Sequence, residues 1–422
     1  MPCSFPEPIL NPSLKSATVL RNVQGLQIQS SKEIEIRNDK KQATQLKVIM
    51  TKEPTRTKMI NQRSILGGLR QFISAAVSPQ KTMVAALLML NFVSEVPAAP
   101  FSFSTGNPDG KVATLSRPAT AGQIQTETAD DFVVTQSVVI AQATFTGLLP
   151  LGAPLTSISD VEIELYHVFP GDSTLPPSGN VPTRTNSPSD VEIGAATRDS
   201  ANGSLSFSAT LVNPSFIASN SVVNGINKKP GERTNGEGPV TGQEVLITVH
   251  FNPPISLSAD HYFFRPEVLL ERGDFLWLSA PKPTAPPIFV GDLQSWIRND
   301  ALAPDWLRIG TDITGQGPFN AAFSLSGETD EDGDGVADSL DLCPGTPAGA
   351  IVDQHGCTID QIAPCSGPAS GGTWKNHGKY VSSVAHAVQA FLAQGLISEE
   401  QAGEIIAQAA QSDCGKKGHH GK

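Results

Sequence analysis

Ser204-Leu205-Ser206-Phe207-Ser208-Ala209-Thr210-Leu211 alternates polar and apolar residues without a break. A period of two places one set of side chains on each face of an extended strand, so one face is buried and the other is wet. The same period recurs outward from this stretch. Val161, Ile163 and Leu165 alternate with Glu162 and Glu164, and Val245, Ile247, Val249 and Phe251 alternate with Leu246, Thr248 and His250. Phe132–Val134, Val138–Phe145, Tyr262–Leu270, Phe275–Leu278, Trp306–Ile309 and Ala321–Leu325 are further strand candidates. Turn-rich segments such as Pro170–Asp190 and Lys228–Gly242 separate them. No amphipathic helix of comparable length alternates with the strands, which excludes a parallel α/β sheet. The expectation for residues 99–327 is a mainly β fold, an antiparallel β-sandwich or jelly roll.

Composition agrees. The chain has 422 residues, 37 of them Gly and 33 Pro, and only 17% are charged. Residues 1–82 carry 13 Lys/Arg against 5 Asp/Glu, so within a net charge of −11 the remainder is strongly acidic. An acidic body repels a phosphate backbone, which argues against nucleic acid as a partner. Met83–Val93 (MVAALLMLNFV) is apolar over 11 residues. That is too short to span a bilayer, which needs about 20 residues. It suits the core of an export signal, with Lys81, Arg70 and Arg63 before it and the small-residue pattern Val96-Pro97-Ala98 after it. The competing reading is a short buried helix or strand. Residues 83–98 are therefore expected to be the signal core and cleavage region. Residues 1–82 are expected to be a basic extension without a fold, with Met59 as a second candidate start. No transmembrane helix is expected in the mature chain, which would be secreted or held at the cell envelope.

Cys343, Cys357, Cys365 and Cys414 all lie near the end of the chain. Four cysteines allow three pairings. Sequence order favours Cys343–Cys357 and Cys365–Cys414 in an oxidising compartment. Zinc is the rival reading, but there is no CxxC pair and the spacings do not form a ribbon.

The sandwich region carries no GxSxG elbow, HExxH helix or GxxxxGK[ST] loop, which favours a non-enzyme. Glycosidase carboxylates need no short motif, so a carbohydrate-active enzyme or carbohydrate-binding module stays as the alternative. Trp277 sits in Phe-Leu-Trp-Leu and reads as core. Trp296, within Gln294-Ser295-Trp296-Ile297-Arg298, and Trp306 are candidates for an aromatic platform that stacks sugar rings, against core filling. His167, His250 and His261 have no companion at ligand spacing and read as structural.

The stretch Asp330-Glu331-Asp332-Gly333-Asp334-Gly335-Val336-Ala337-Asp338-Ser339-Leu340-Asp341 places carboxylates at its first, third, fifth, ninth and twelfth positions and glycine at the sixth. Ca2+ takes six to eight oxygens, and alternate aspartates in a tight loop can aim theirs at one point. Gly335 permits the bend. The expected ligands are Asp330, Asp332, Asp334, the Val336 carbonyl, Asp338 and Asp341. The spacing follows the EF-hand loop except that aspartate closes it in place of glutamate. An acidic solvated linker is the plain alternative, but it would not keep all acids except Glu331 on pattern.

Two resemblances follow from quoted residues. Ala129-Asp130-Asp131-Phe132, Ala143-Thr144-Phe145, Val161–Tyr166, His261-Tyr262-Phe263-Phe264 and Ala321–Leu325 are similar to exported bacterial β-sandwich proteins, most of which lack an assigned function. Leu342-Cys343-Pro344-Gly345-Thr346-Pro347-Ala348-Gly349, Val352-Asp353 and Gly356-Cys357 resemble a thrombospondin type 3 repeat of the bacterial kind. This second resemblance covers about 328–360 and implies a calcium-wrapped, disulfide-tied connector with little hydrophobic core. Such repeats often occur in arrays; a single full copy stands here.

Residues 361–415 read as a helical hairpin. Val381, Val384, Ala385, Val388, Phe391 and Leu392 share one helical face. Gly395 ends that helix, and Ser398 with Gln401 forms a capping box for the next. The words Trp374-Lys375-Asn376-His377-Gly378 are similar to the ends of other exported bacterial proteins. Residues 416–422 read as a disordered tail. Taken together, the sequence predicts a secreted calcium-binding protein with a non-catalytic binding or structural role, with glycans or cell-surface and matrix components as partners.

Overall fold

The computed structural model describes residues 100–226, 231–282 and 293–416. The expected export signal, the basic extension and residues 417–422 lie outside them. The described residues belong to one unit, Asn91–Lys422.

The protein is mainly β, as the alternation requires. In one sheet the central strand is Val138–Leu149. It pairs with Val240–Leu257 on one side, and with Phe323–Thr329 and then Leu276–Ala280 on the other. Pro100–Ser104 extends the sheet beyond Phe323–Thr329, and Leu205–Ala218 extends it beyond Val240–Leu257. Val112–Leu115 joins Leu276–Ala280, and its pairing with Asn220–Val222 is parallel. In the second sheet the order is Leu307–Arg308, Trp296–Asn299, Thr126–Val134, Asp260–Leu270, Ile158–Val168, Pro188–Glu192, all antiparallel.

The apolar sets read from the sequence meet between the sheets. Val245, Ile247 and Val249 from one sheet and Val161 and Ile163 from the other have no exposed surface. Phe264 stacks on Phe323 with ring centroids 5.0 Å apart, and Trp277 closes this core while its indole N–H donates to the Ala322 carbonyl at 3.0 Å. The quoted opening stretch behaves differently along its length. Leu205 is buried, Phe207 and Ala209 are half-buried, and Leu211 is 43% exposed. The Leu205–Ala218 strand is the sheet edge; its middle runs past the core, and Ala218 at its far end is buried again beside Leu115 and Leu148.

The outer face of the second sheet overturns one expectation. Trp296 and Trp306 are 1% and 0% exposed, so they form no platform at the surface. They pack with Ala129, Tyr166 and Phe263 on that outer face. The Trp306 indole N–H donates to the Ser189 carbonyl at 3.2 Å, in the segment the sequence reads as turn-rich. The neighbours of Trp296 look polar in sequence but are buried too. Ser295 donates to Asp130, and Arg298 pairs with Glu127.

Disulfides Cys343–Cys357 and Cys365–Cys414 join backbones with Cα atoms 5.1 and 4.9 Å apart, the pairing that sequence order favours. The tail holds α1 (Ile359–Ile362), α2 (His377–Ala393) and α3 (Glu399–Gln411). Tyr380, Val384, Val388 and Phe391 of α2 close a small core with Ala402 and Ala409 of α3. Ser398 and Gln401 make both bonds of the expected capping box, and Thr358 with Gln361 makes a second one on α1 that the periodicity is too short to reveal. No helix among the described residues is long and apolar enough to cross a membrane.

Candidate metal centre

The acidic loop begins where the Phe323–Thr329 strand ends. It is anchored to the sandwich at two points, one in the turn before the Val138–Leu149 strand and one near the end of the Val240–Leu257 strand. The Asp330 N–H donates to the Ser137 carbonyl at 3.1 Å, and the Ser256 hydroxyl donates to the Gly335 carbonyl at 3.2 Å. The loop is therefore seated on the end of the sheet that carries the Val138–Leu149 and Val240–Leu257 strands.

Its own backbone then turns the aspartates inward. Asp330 is 2% exposed and accepts from the Gly333 N–H (2.9 Å) and the Gly335 N–H (3.0 Å). Gly335 has φ +96°, a conformation that a Cβ would strain. Asp332 accepts from the backbones of Gly345 and Thr346, both at 2.7 Å, which folds the following segment back over the loop. Asp334 accepts from the Val336 N–H through Oδ1 at 2.9 Å, while its Oδ2 is buried with no hydrogen-bond partner. One carboxylate oxygen from each of Asp330, Asp332 and Asp334 lies within 4.8 Å of the others.

Asp341 flanks this group. Its Oδ1 accepts from the Cys343 N–H at 2.7 Å. A Cβ placed on Gly356 would stand 2.2 Å from Asp341 Oδ1 and 2.9 Å from Asp334 Oδ2, so both carboxylates converge on that glycine. Gly356 is a site residue that spacing alone could not mark. Its signal is its place beside Cys357, because the Cys343–Cys357 bridge brings it over the loop.

Asp338 does something else. It accepts from the Thr329 hydroxyl and from the Glu331 N–H, while its own N–H donates to the Thr329 carbonyl, so it closes the base of the loop. It is not one of the three grouped carboxylates. For Val336, the N–H on Asp334 is the bond that ties it to the site.

Electrostatics follow from this crowding. Burial pushes the Asp334 carboxyl up to about 6, and the charges of Asp332, Asp341 and Asp330 add to it against the Val336 N–H. Burial also raises Asp330 and Asp341. Among the described residues no Lys, Arg or His makes a salt bridge to any of these four. A buried carboxylate oxygen without a donor, among like charges, is costly unless a cation or proton meets it. The donor set, all hard oxygen, suits a hard divalent cation.

Among the described residues the histidines form no rival centre. His261 pairs with Asp131 at 2.7 Å, and His167 lies between Asp172 (3.4 Å) and Asp260 (3.2 Å). His250 and His386 are exposed. His377 faces the carbonyls of Cys414 and Ala410.

A second group of buried charges escaped the sequence reading. Arg265, fully buried, meets Glu127 at 3.4 Å, Glu267 at 2.7 Å and Glu164 on the outer face of the second sheet. Arg298 adds a second cation on Glu127 and lies 4.3 Å over the Trp306 ring. Glu162 and Glu164 alternate with the core residues as a solvent-facing set would, but both are half-buried, and Arg265 and Glu267 opposite them on the neighbouring strand are buried.

No protein-family model matches the sequence, and no solved structure is significantly similar to it. A 54-residue stretch is 46% identical to alpha-agarase of Thalassotalea agarivorans, covering 13% of this chain and 3% of that protein.

Proposed function

We propose that this chain is a secreted calcium-binding protein with a non-catalytic binding or structural role. Its calcium loop orders the junction between the β-sandwich and the helical tail. The observation that carries the reading is the buried, donorless Asp334 Oδ2 among Asp330, Asp332 and Asp341, in a loop bonded to the sandwich at Ser137 and Ser256. A cation there would neutralise the group and tie down the segment that leads to the Cys343–Cys357 bridge and α1. Two disulfides support an oxidising, extracytoplasmic compartment. Affinity on the order of 10⁻⁴–10⁻³ M fits an extracellular module.

Calorimetric titration of the full chain with calcium tests this. Saturable heat at millimolar calcium is expected, and it should vanish in the Asp332→Ala plus Asp334→Ala variant. Equal heat in the two proteins would refute the site.

The segment shared with alpha-agarase supports a second reading, a module that binds or acts on carbohydrate. Retention on agarose beads and release of reducing sugar from agarose separate its two forms. Neither result would leave the structural role standing alone.

A further inference from the structure

Sheet edges expose unpaired N–H and C=O groups, and proteins guard them by keeping edge strands short or placing charges and prolines on them. Most edges here follow that rule. Pro100–Ser104 has five residues and begins on proline, Asn220–Val222 has three, and Leu307–Arg308 and Arg198–Asp199 have two each. Pro188–Glu192 has five, with Asp190 and Glu192 among them. The exception is Leu205–Ala218, with 14 residues. Among the described residues its ladder runs to Val240–Leu257 on one side and to no strand on the other.

This edge is unguarded by charge. No Asp, Glu, Lys or Arg occurs from Ser200 to Asn227, in a chain of net charge −11. Its far end is occupied, since Ser219 and Asn220 donate to the carbonyls of Gly110 and Lys111. Pro214 lacks an N–H and closes the usable length. The ladder shifts register between Leu211 and Asn213, with Val212 bulged, so Leu205–Leu211 is the regular stretch that remains open, and Leu211 there is 43% exposed.

We propose that this edge pairs with the same edge of a second copy of the chain, antiparallel about a two-fold axis at Ser208. The sequence is self-complementary in that arrangement. Ser208 meets its equivalent, Ser206 meets Thr210, Phe207 meets Ala209 and Leu205 meets Leu211. Hydroxyls face hydroxyls on one side and apolar groups face apolar groups on the other, because a two-fold through a residue pairs positions of equal parity. Two strongly acidic molecules meet there without bringing any carboxylate across the axis. The outer row Ser104, Ser324, Thr144, Thr248, Ser208, aligned strand to strand, continues from one copy into the other.

Sedimentation of the full chain over micromolar concentrations tests the proposal. The wild type is expected to show a reversible dimer. Ser208→Lys places two ammonium groups opposite each other and should weaken the dimer by on the order of tenfold or more. Ser326→Lys, on the same face but away from the edge, should leave it unchanged. Ser208→Cys should form an intermolecular disulfide on oxidation, because paired Cα atoms across such an axis lie about 4.5–5.5 Å apart. A wild type that stays monomeric overturns the proposal. So does a Ser208→Lys protein that folds normally by circular dichroism and dimerises as tightly as wild type. Failure of Ser208→Cys to cross-link overturns it too.

Discussion

Two clusters of buried and half-buried carboxylates lie in this molecule, and their surroundings differ: one is lined by arginines, the other by backbone N–H groups. On the outer face of the second sheet, Glu127, Glu164 and Glu267 surround Arg265, and Arg298 adds a second guanidinium. At the end of the sandwich, Asp330, Asp332, Asp334 and Asp341 crowd together with backbone N–H donors and no side-chain cation within salt-bridge reach among the described residues. The first cluster carries its own counter-charge and is closed. The Arg298 and Arg265 charges hold the Glu127 carboxyl low even though burial would raise it. The second leaves a carboxylate oxygen without a donor and is open to a cation from solution. The difference separates a cluster that holds the fold from one suited to a ligand.

The largest expected effect comes from breaking the closed cluster. Arg265→Met leaves the buried Glu127 and Glu267 and the half-buried Glu164 short of their shared cation. Removing one partner of a buried ion pair costs about 3–5 kcal/mol. Urea denaturation should show that loss whether calcium is present or chelated. A loss under 1 kcal/mol would mean that water or protons already neutralise the glutamates.

Calcium should act on the open cluster alone. At ten times the dissociation constant, binding to the folded state contributes about 1.4 kcal/mol. The melting temperature of wild type should therefore rise with calcium, and that of Asp332→Ala plus Asp334→Ala should not. In Arg265→Met the calcium increment should survive, because the two clusters share no residue.

Gly356→Ala sharpens the comparison without touching an acid. Its φ of +73° disfavours a side chain, and the new Cβ would meet Asp341 Oδ1 at 2.2 Å. Calcium affinity measured by calorimetry should fall by on the order of tenfold, the equivalent of about 1.4 kcal/mol. Unaltered affinity would remove Asp341 and the Gly356 turn from the site.

The two clusters should also differ in their dependence on pH. Asp334 titrates near 6 in the metal-free fold, against about 3.9 in an unfolded chain. Between those values the folded state holds more protons than the unfolded state. Stability in chelator should therefore fall as pH rises from about 4 to 6 and then level off. Saturating calcium should flatten that slope, since the cation replaces the proton. The Asp334→Asn protein should lack this part of the slope in chelator.

How much of this was readable beforehand depends on how local each feature is. The strands at Val161–Leu165 and Val245–Phe251 follow from a period of two, and burial of those apolar sets follows from the strand. The Ser398 cap needs four consecutive residues. The grouping of Asp330, Asp332 and Asp334 needs a five-residue loop with glycine at its bend. Asp338 shows where such reading stops. Its spacing fits a ligand, but it lies beside the strand end at Thr329, and the Thr329 hydroxyl and the Glu331 N–H each bond one of its carboxylate oxygens.

Trp296 and Trp306 show the same limit from the other side. Polar neighbours suggested exposure, yet Ser295 and Arg298 find Asp130 and Glu127 on a distant strand and are buried with the tryptophans. The sequence by itself determined the β class, the helix caps and the bend of the acidic loop, because each depends on residues within a few positions of one another. Only the tertiary structure decided which polar faces are covered, that Gly356 closes the acidic site and that the loop rests on Ser137 and Ser256. Those outcomes rest on contacts between segments from 15 to 200 residues apart, and no local periodicity encodes which loop will fold over which sheet.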